Sequence, residues 1–258
     1  VTDSHCHLAD AAFVDDLDAV VARAREVGIT RALCIIDPLD ADERGRGASV
    51  CLQWPAVRLA TGVHPHRASA DGLTPSSAVD LVRTELARGS AYRAIGEIGL
   101  DYHYDFAPPA AQREVFAAQV ALAAETGLPV VIHTREADQD TVDILRREGQ
   151  GVRGVFHCFS GDVALARQAL DLGFMISFSG IVTFPKAIAI HEAARFVPEA
   201  ALLSETDCPY LAPVPRRGKR NEPALVSYVV ARLAELRGTS ADALRAIIGD
   251  NFDRLVRP

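Results

Sequence analysis

Asp-Ser-His-Cys-His-Leu (DSHCHL, residues 3–8) sets two histidines two positions apart almost at the first residue. Chain ends are usually where order is poorest, so a polar pair placed here needs a reason. TDSHCH (2–7) has the length of a strand. Side chains two apart along a strand point the same way, which sends His5 and His7 together to one side and Cys6 outward, against helices. A strand that opens a closed barrel and ends at its mouth supplies the reason, because pairing on both edges ties it down.

Working outward, short apolar runs alternate with longer amphipathic ones. TRALCIID (30–37), VRLATGV (57–63), YRAIGEIG (92–99), LPVVIH (128–133), VRGVFHC (152–158), FMISFSG (174–180) and ALLSETD (201–207) read as buried strands, and with the first they make eight. Between them Phe13, Leu17, Val20, Val21, Ala24 and Val27 recur at helical spacing, and 110–126, 138–148 and 162–172 behave alike. Gly28, Gly127 and Gly173 each close a helix just before the next strand. No repeat, low-complexity tract or linker divides the chain, so residues 1–258 read as a single domain. The alternation predicts an α/β fold, a single (β/α)8 TIM barrel with its site at the C-terminal ends of the strands. A doubly wound open sheet is the competing fold, and it leaves the two early histidines unexplained.

Composition narrows the function classes. With 49% hydrophobic residues in 258, a sizeable core is available. The net charge of −7 means that any nucleic-acid contact must come from a local patch. Lys186 and Lys219 are the only lysines; Lys186 reads as a solvated helix-start residue. Five cysteines without tight CxxC spacing suit a reducing compartment. No basic leader and no long apolar segment is visible, so the expected location is the cytoplasm, with no membrane and no required protein partner. Neither a GxSxG elbow nor a P-loop or Rossmann glycine pattern occurs.

Most of the expected strands end in a group that binds metal or carries a proton: His5 and His7, His64 and His66, Glu97, His133, His157 and Asp207. Any one alone is more often structural than a ligand. Together they are costly to bury unless charge-compensated, and a divalent cation compensates several at once. Cys158 and Cys208, each beside one of these residues, read as small packed side chains turned away from the mouth.

DSHCHL, GVHPH, GEIGLDYHYDF, QREVF, PVVIHTREA, HCFSG, ETDCPYLAPVP, RGKRNEP and IIGDNFDRL follow one another in an order that resembles the TatD-like metal-dependent deoxyribonucleases, an amidohydrolase-type barrel family. The resemblance implies two divalent ions (magnesium, manganese or zinc). His5, His7 and Asp207 would hold one, His133 and His157 the other, and Glu97 would bridge them. Amidohydrolase relatives often bridge their ions with a carboxylated lysine on the fourth strand; this chain has none there, and Glu97 takes the place. Asp207 and Glu97 are the expected catalytic residues, with Asp207 accepting the proton of a metal-activated water. His64 and Glu205 match motif positions near the ions. Arg216 stands where the family's loop has histidine.

The implied activity is hydrolysis of phosphodiester bonds as a 3′→5′ exodeoxyribonuclease on single-stranded 3′ ends of DNA. Arg135, Arg217 and Lys219 would meet phosphate, with RRGKR (216–220) the only dense basic run, and Tyr102 and Tyr210 would stack on a terminal base. A small-molecule amidohydrolase, lactonase or phosphoesterase on the same barrel is the alternative, since fold does not fix substrate. A non-catalytic binding barrel fits less well, because all six ligand positions hold competent residues.

Overall fold

The computed structural model describes residues 1–256. Eight strands form one sheet in sequence order: β1 (Thr2–Cys6), β2 (Arg31–Ile36), β3 (Val57–Thr61), β4 (Tyr92–Asp101), β5 (Val130–Arg135), β6 (Gly154–Phe156), β7 (Met175–Phe178) and β8 (Leu202–Ser204). Every pairing from β1 to β8 is parallel. Parallel neighbours need crossovers, and helices supply them. These are α1 (Leu17–Glu26), α2 (Ala41–Gln53), α3 (Pro75–Leu86), α4 (Pro109–Thr126), α5 (Asp138–Glu148), α6 (Val163–Asp171) and α7 (Ile188–Phe196), with α8 (Val226–Arg237) and α9 (Ala241–Val256) following β8. The expected (β/α)8 barrel is the observed one.

The seam between last and first strands is made just beyond β8. Asp207 N–H donates to the His5 carbonyl (3.0 Å), and His7 N–H donates to the Cys208 carbonyl (2.9 Å). β1 is therefore held by β2 on one edge and by this seam on the other, as the reading of DSHCHL required. The strands carry fully buried Ile, Val, Leu and Phe on both faces, including Leu33, Ile95, Val131, Phe156 and Phe178. Such continuous apolar runs are what a sheet covered on both sides demands.

Strand and helix ends differ from the sequence reading in ways that matter. β4 runs to Asp101, past the expected Gly99, whereas β6 and β8 are three residues each. His157 and Asp207 thus stand on loops just past their strands. Phe13 belongs to a separate 3-10 turn, Ala11–Phe13, capped by the Asp10 carboxylate on Ala12 N–H (2.7 Å), and α1 begins only at Leu17. α2 gave no apolar stripe because its buried face is only Gly47 and Val50: a Cβ on Gly47 would come within 2.8 Å of Ile36 Cδ1. No described helix is long and apolar enough to cross a membrane.

Gly99, at φ 146°, brings β4 close against the His133 backbone on β5, where any Cβ would collide with the His133 carbonyl oxygen. Backbone cannot yield as a flexible side chain can. Gly99→Ala is therefore expected to destabilise the barrel by roughly 3 kcal/mol, read from urea unfolding. A loss below about 0.5 kcal/mol would mean that this close approach does not constrain the fold.

Candidate metal centre

A cavity of about 750 Å³ opens at the C-terminal ends of the strands, and Glu97, from β4, lies in its floor. Five imidazoles stand within 4 Å of this carboxylate, His7 the farthest with Nε2 3.9 Å from Oε2. His157 Nε2 is 2.7 Å, His133 Nδ1 2.8 Å and His64 Nε2 3.3 Å from Oε1, while His5 Nε2 is 3.4 Å from Oε2. On the Oε2 side His5 Nε2 and His7 Nε2 are 3.1 Å apart, and Asp207 Oδ1 lies 3.6 Å from the first and 3.4 Å from the second. Ligand atoms about 2.1 Å from a tetrahedral ion stand ~3.4 Å from one another. These separations suit a shared cation better than direct hydrogen bonds.

The Oε1 side makes the same point through tautomers. An ionised carboxylate only accepts. Asp101 Oδ2 is 3.0 Å from His133 Nε2; with the neutral ring's proton on that side, as a carboxylate behind a ligating histidine requires, His133 Nδ1 turns a lone pair on Glu97. Glu205 Oε1, 3.2 Å from His157 Nδ1, does the same for His157, whose Nε2 then faces Glu97. Two imidazole lone pairs aimed at one carboxylate oxygen repel unless a proton or a cation lies between. Without a cation, protons must serve. Burial opposes the charge on His133 and His157, yet their carboxylate neighbours raise both, His157 well above its ordinary value. Glu97 is likewise held well below the carboxylate range against its burial, chiefly by His157, His64 and His133. The donor set fits divalent metal, with carboxylates orienting ligating histidines.

His64 differs. Its Nδ1 accepts the His66 backbone N–H (3.1 Å), so the neutral ring carries its proton on Nε2, facing Glu97. Burial lowers its pKa to about 4, so the ring is neutral. Glu97, His64 and His133 do form one cluster of potential ligands, but the tautomer favours the pair His133 and His157 on this side. A further cluster, His5, His157 and Glu205, is the stacked ring pair His5–His157 (centroids 3.8 Å, 11°) with the carboxylate that orients one of them.

The remaining expected residues are placed unevenly. Arg135 lines the cavity with its guanidinium 4.9 Å over the Tyr104 ring. Glu205 is fully buried and also accepts Cys158 N–H (2.6 Å). Tyr210 lines the cavity and is exposed. Tyr102, expected at the mouth, does not line it: its hydroxyl is committed to Asp140 (2.6 Å) in α5. Tyr104, two residues on, takes that place. Arg217 stacks on Phe184 (4.3 Å) and Lys219 is exposed; both stand on the loop after β8, outside the cavity wall. Cys6 and Cys208 are buried as expected, but Cys158 lines the cavity, its sulfur 3.2 Å from Ser179 Oγ.

Asp101 and Asp3 had no role in the sequence reading, and His66, expected at a strand end, stands on Asp101 (Nε2 to Oδ2, 3.0 Å) and not on Glu97. For Asp101 the signal was parity, since 97, 99 and 101 share one side of a strand that continues past Gly99. Asp3 braces the opposite wall. It accepts Thr206 N–H (2.9 Å) and Oγ1–H (2.6 Å), while Asn221 Nδ2 donates to the Thr206 carbonyl (2.8 Å). Asp207, next along, has a left-handed φ of 59°. That conformation is uncommon outside glycine, and Asp tolerates it. The brace accounts for the Asp of DSHCHL and the Asn of RGKRNEP.

Comparison with known proteins agrees with this architecture. The profile of the TatD related DNase family matches residues 2–257. The chain is 38% identical over 262 residues to the metal-dependent hydrolase YabD of Bacillus subtilis, covering 99% of this chain and 98% of that protein. It is 35% identical over 246 residues to the 3'-5' ssDNA/RNA exonuclease TatD of Klebsiella pneumoniae, covering 93% and 91%. The crystal structure of the Escherichia coli TatD homolog YjjV superposes with a TM-score of 0.90 at 27% identity, covering 100% of this chain and 98% of that one. With a profile match across nearly its whole length and relatives aligned end to end, the chain belongs to the TatD related DNase family.

Proposed function

We propose that this chain is a divalent-metal-dependent phosphodiesterase of the cytoplasm, working as a 3′→5′ exodeoxyribonuclease on single-stranded DNA ends, with residues 1–258 as one catalytic unit. The observation that carries the hydrolase reading is the convergence of imidazoles and Asp207 on the buried Glu97 carboxylate. Free thiols at all five cysteines suit a reducing location. Nucleic acid as substrate is supported by the Klebsiella relative's name and by unpaired cations near the mouth.

In this reading His5, His7 and Asp207 would hold one ion and His133 and His157 a second, with Glu97 serving both; magnesium, manganese and zinc all accept such donors. When bound, the ions supply a water of lowered pKa and neutralise charge on the phosphate. Asp207 is kept ionised by His7 and His5 against its burial, so its carboxylate can accept the proton of the attacking water. Neutral His64 offers Nε2–H to a phosphate oxygen. Asp101 and Glu205 fix the rings of His133 and His157. Arg220 of the basic run is committed to Asp16 (2.6 and 2.8 Å), whereas Arg216, Arg217 and Lys219 have no carboxylate partner among the described residues and are left for phosphate.

A 5′-labelled single-stranded DNA, incubated with magnesium, manganese or zinc, should give a ladder shortening from its 3′ end. EDTA should abolish it, and His5→Ala and Glu97→Ala should each slow it more than about 100-fold, the upper end of the loss from an outer partner. If protein with its ions bound cleaves no oligonucleotide, the reading moves to a small-molecule amide, lactone or phosphoester.

Arg217→Ala with Lys219→Ala should raise KM and flatten its dependence on log salt by roughly 0.7 for each phosphate no longer neutralised. An unchanged slope would remove the loop from the DNA path.

A further inference from the structure

Of the 16 Phe, Tyr and Trp side chains (10, 5 and 1), three are exposed among the described residues: Tyr104 at 43%, Phe106 at 62% and Tyr210 at 56%. All three stand at the cavity rim. Tyr104 and Tyr210 line the cavity, and Phe106 rests against Tyr104 and against His66 of the wall, with centroids 5.4 and 4.7 Å away. Apolar area left in water is unfavourable. A chain that buries its other aromatics wholly or in part and leaves three around one opening is presenting faces to something that enters there.

The two on the β4 side form a corner. Tyr104 and Phe106 stand 37° apart, and His66 backs Phe106 while its Nε2 bonds Asp101, the carboxylate that orients His133. The platform is thus fixed to the metal-cluster scaffold. Beside it the Arg135 guanidinium is laid over Tyr104 and has no carboxylate partner among the described residues. A planar face with an unpaired cation next to it matches the repeat of a polynucleotide, one base and one phosphate. The opposite wall carries Asp10, Asp37 and Glu43, of which Asp37 is paired with Arg67 (3.5 Å).

We propose that Tyr104 and Phe106 form a nucleobase-stacking subsite and that Arg135 holds the adjoining phosphate. This deepens the nuclease reading and rests on it. Within a duplex, both faces of a base are covered by its neighbours. The corner therefore selects unpaired nucleotides and does so without reading sequence, since every base has a π-face.

The test uses 12-residue single-stranded DNA in two forms, one intact and one with abasic sugars at the four 3′-proximal positions. Binding is measured by fluorescence anisotropy and cleavage with the metal-loaded enzyme. The wild-type protein should bind the intact strand roughly tenfold more tightly than the abasic one, the lower part of the range for one or two stacked bases. Tyr104→Ala with Phe106→Ala should erase that difference by weakening only the intact strand, raising KM by the same factor. Tyr104→Phe with Phe106→Tyr, which keeps both rings, should restore it. Arg135→Ala should weaken both strands alike. If cleavage proceeds but base removal costs the wild type nothing, or the double alanine variant still distinguishes the strands, the subsite is wrong and the nuclease reading stands. If intact DNA is bound with the predicted discrimination but never cut, the nuclease reading fails and the subsite survives. If DNA is neither bound nor cut, both fail.

Discussion

A buried carboxylate surrounded by imidazoles is the constraint on which the site depends. Glu97 is 6% exposed, and with His5, His133 and His157 it would be a poor way to build a core. Desolvating one charge costs several kcal/mol unless it is compensated. Apolar residues would serve stability better, and nothing in the packing requires histidine at these points. What makes the cluster intelligible is a positive charge shared among the donors. Around it the protein arranges acceptors in sequence: Asp101 and Glu205 behind the histidines, and Asp3 behind Thr206 next to Asp207.

The barrel serves this arrangement by delivering six side chains from five strand ends to one opening. The delivery needs backbones closer than most side chains allow. Gly99 lets β4 lie against β5, which places Glu97 and Asp101 of one strand on either side of the His133 ring. At the seam, Asp207 N–H bonds the His5 carbonyl, so strand closure and the approach of two proposed ligands are one event. The same construction sets the mouth apart from the wall. The proposed ligands are buried or half-buried and several are braced, whereas the residues proposed to meet substrate, Tyr104, Phe106, Tyr210 and Arg135, stand at the rim.

Much of this was legible in the sequence. The alternation of strand and helix pointed to the barrel, and strand-end position gathered His5, His7, His64, His66, Glu97, His133, His157 and Asp207, from which the family resemblance singled out His5, His7, Glu97, His133, His157 and Asp207, a set that the structure brings together. Other features were not legible, for identifiable reasons. α2 buries only Gly47 and Val50, so apolar periodicity could not reveal it. Tyr102 and Tyr104 lie on one loop with the same chemistry, and only the hydroxyl's bond to Asp140 removes Tyr102 from the mouth. Cys158 was expected to turn away by strand alternation, but β6 has already ended at Phe156, and its φ of 43° turns the chain into the cavity wall. The tautomer of His64 depends on a neighbour's backbone N–H, which no motif spells out.

The most direct measurement is calorimetric titration of EDTA-treated protein with manganese or zinc, for the wild type and Glu97→Ala, with melting temperature followed in parallel. The account predicts two ions per wild-type chain and a melting temperature that climbs with free metal as linkage requires. It predicts that Glu97→Ala loses most of that affinity and shift together. A wild-type chain that takes up no metal, or a Glu97→Ala chain that binds two ions as tightly, would contradict it.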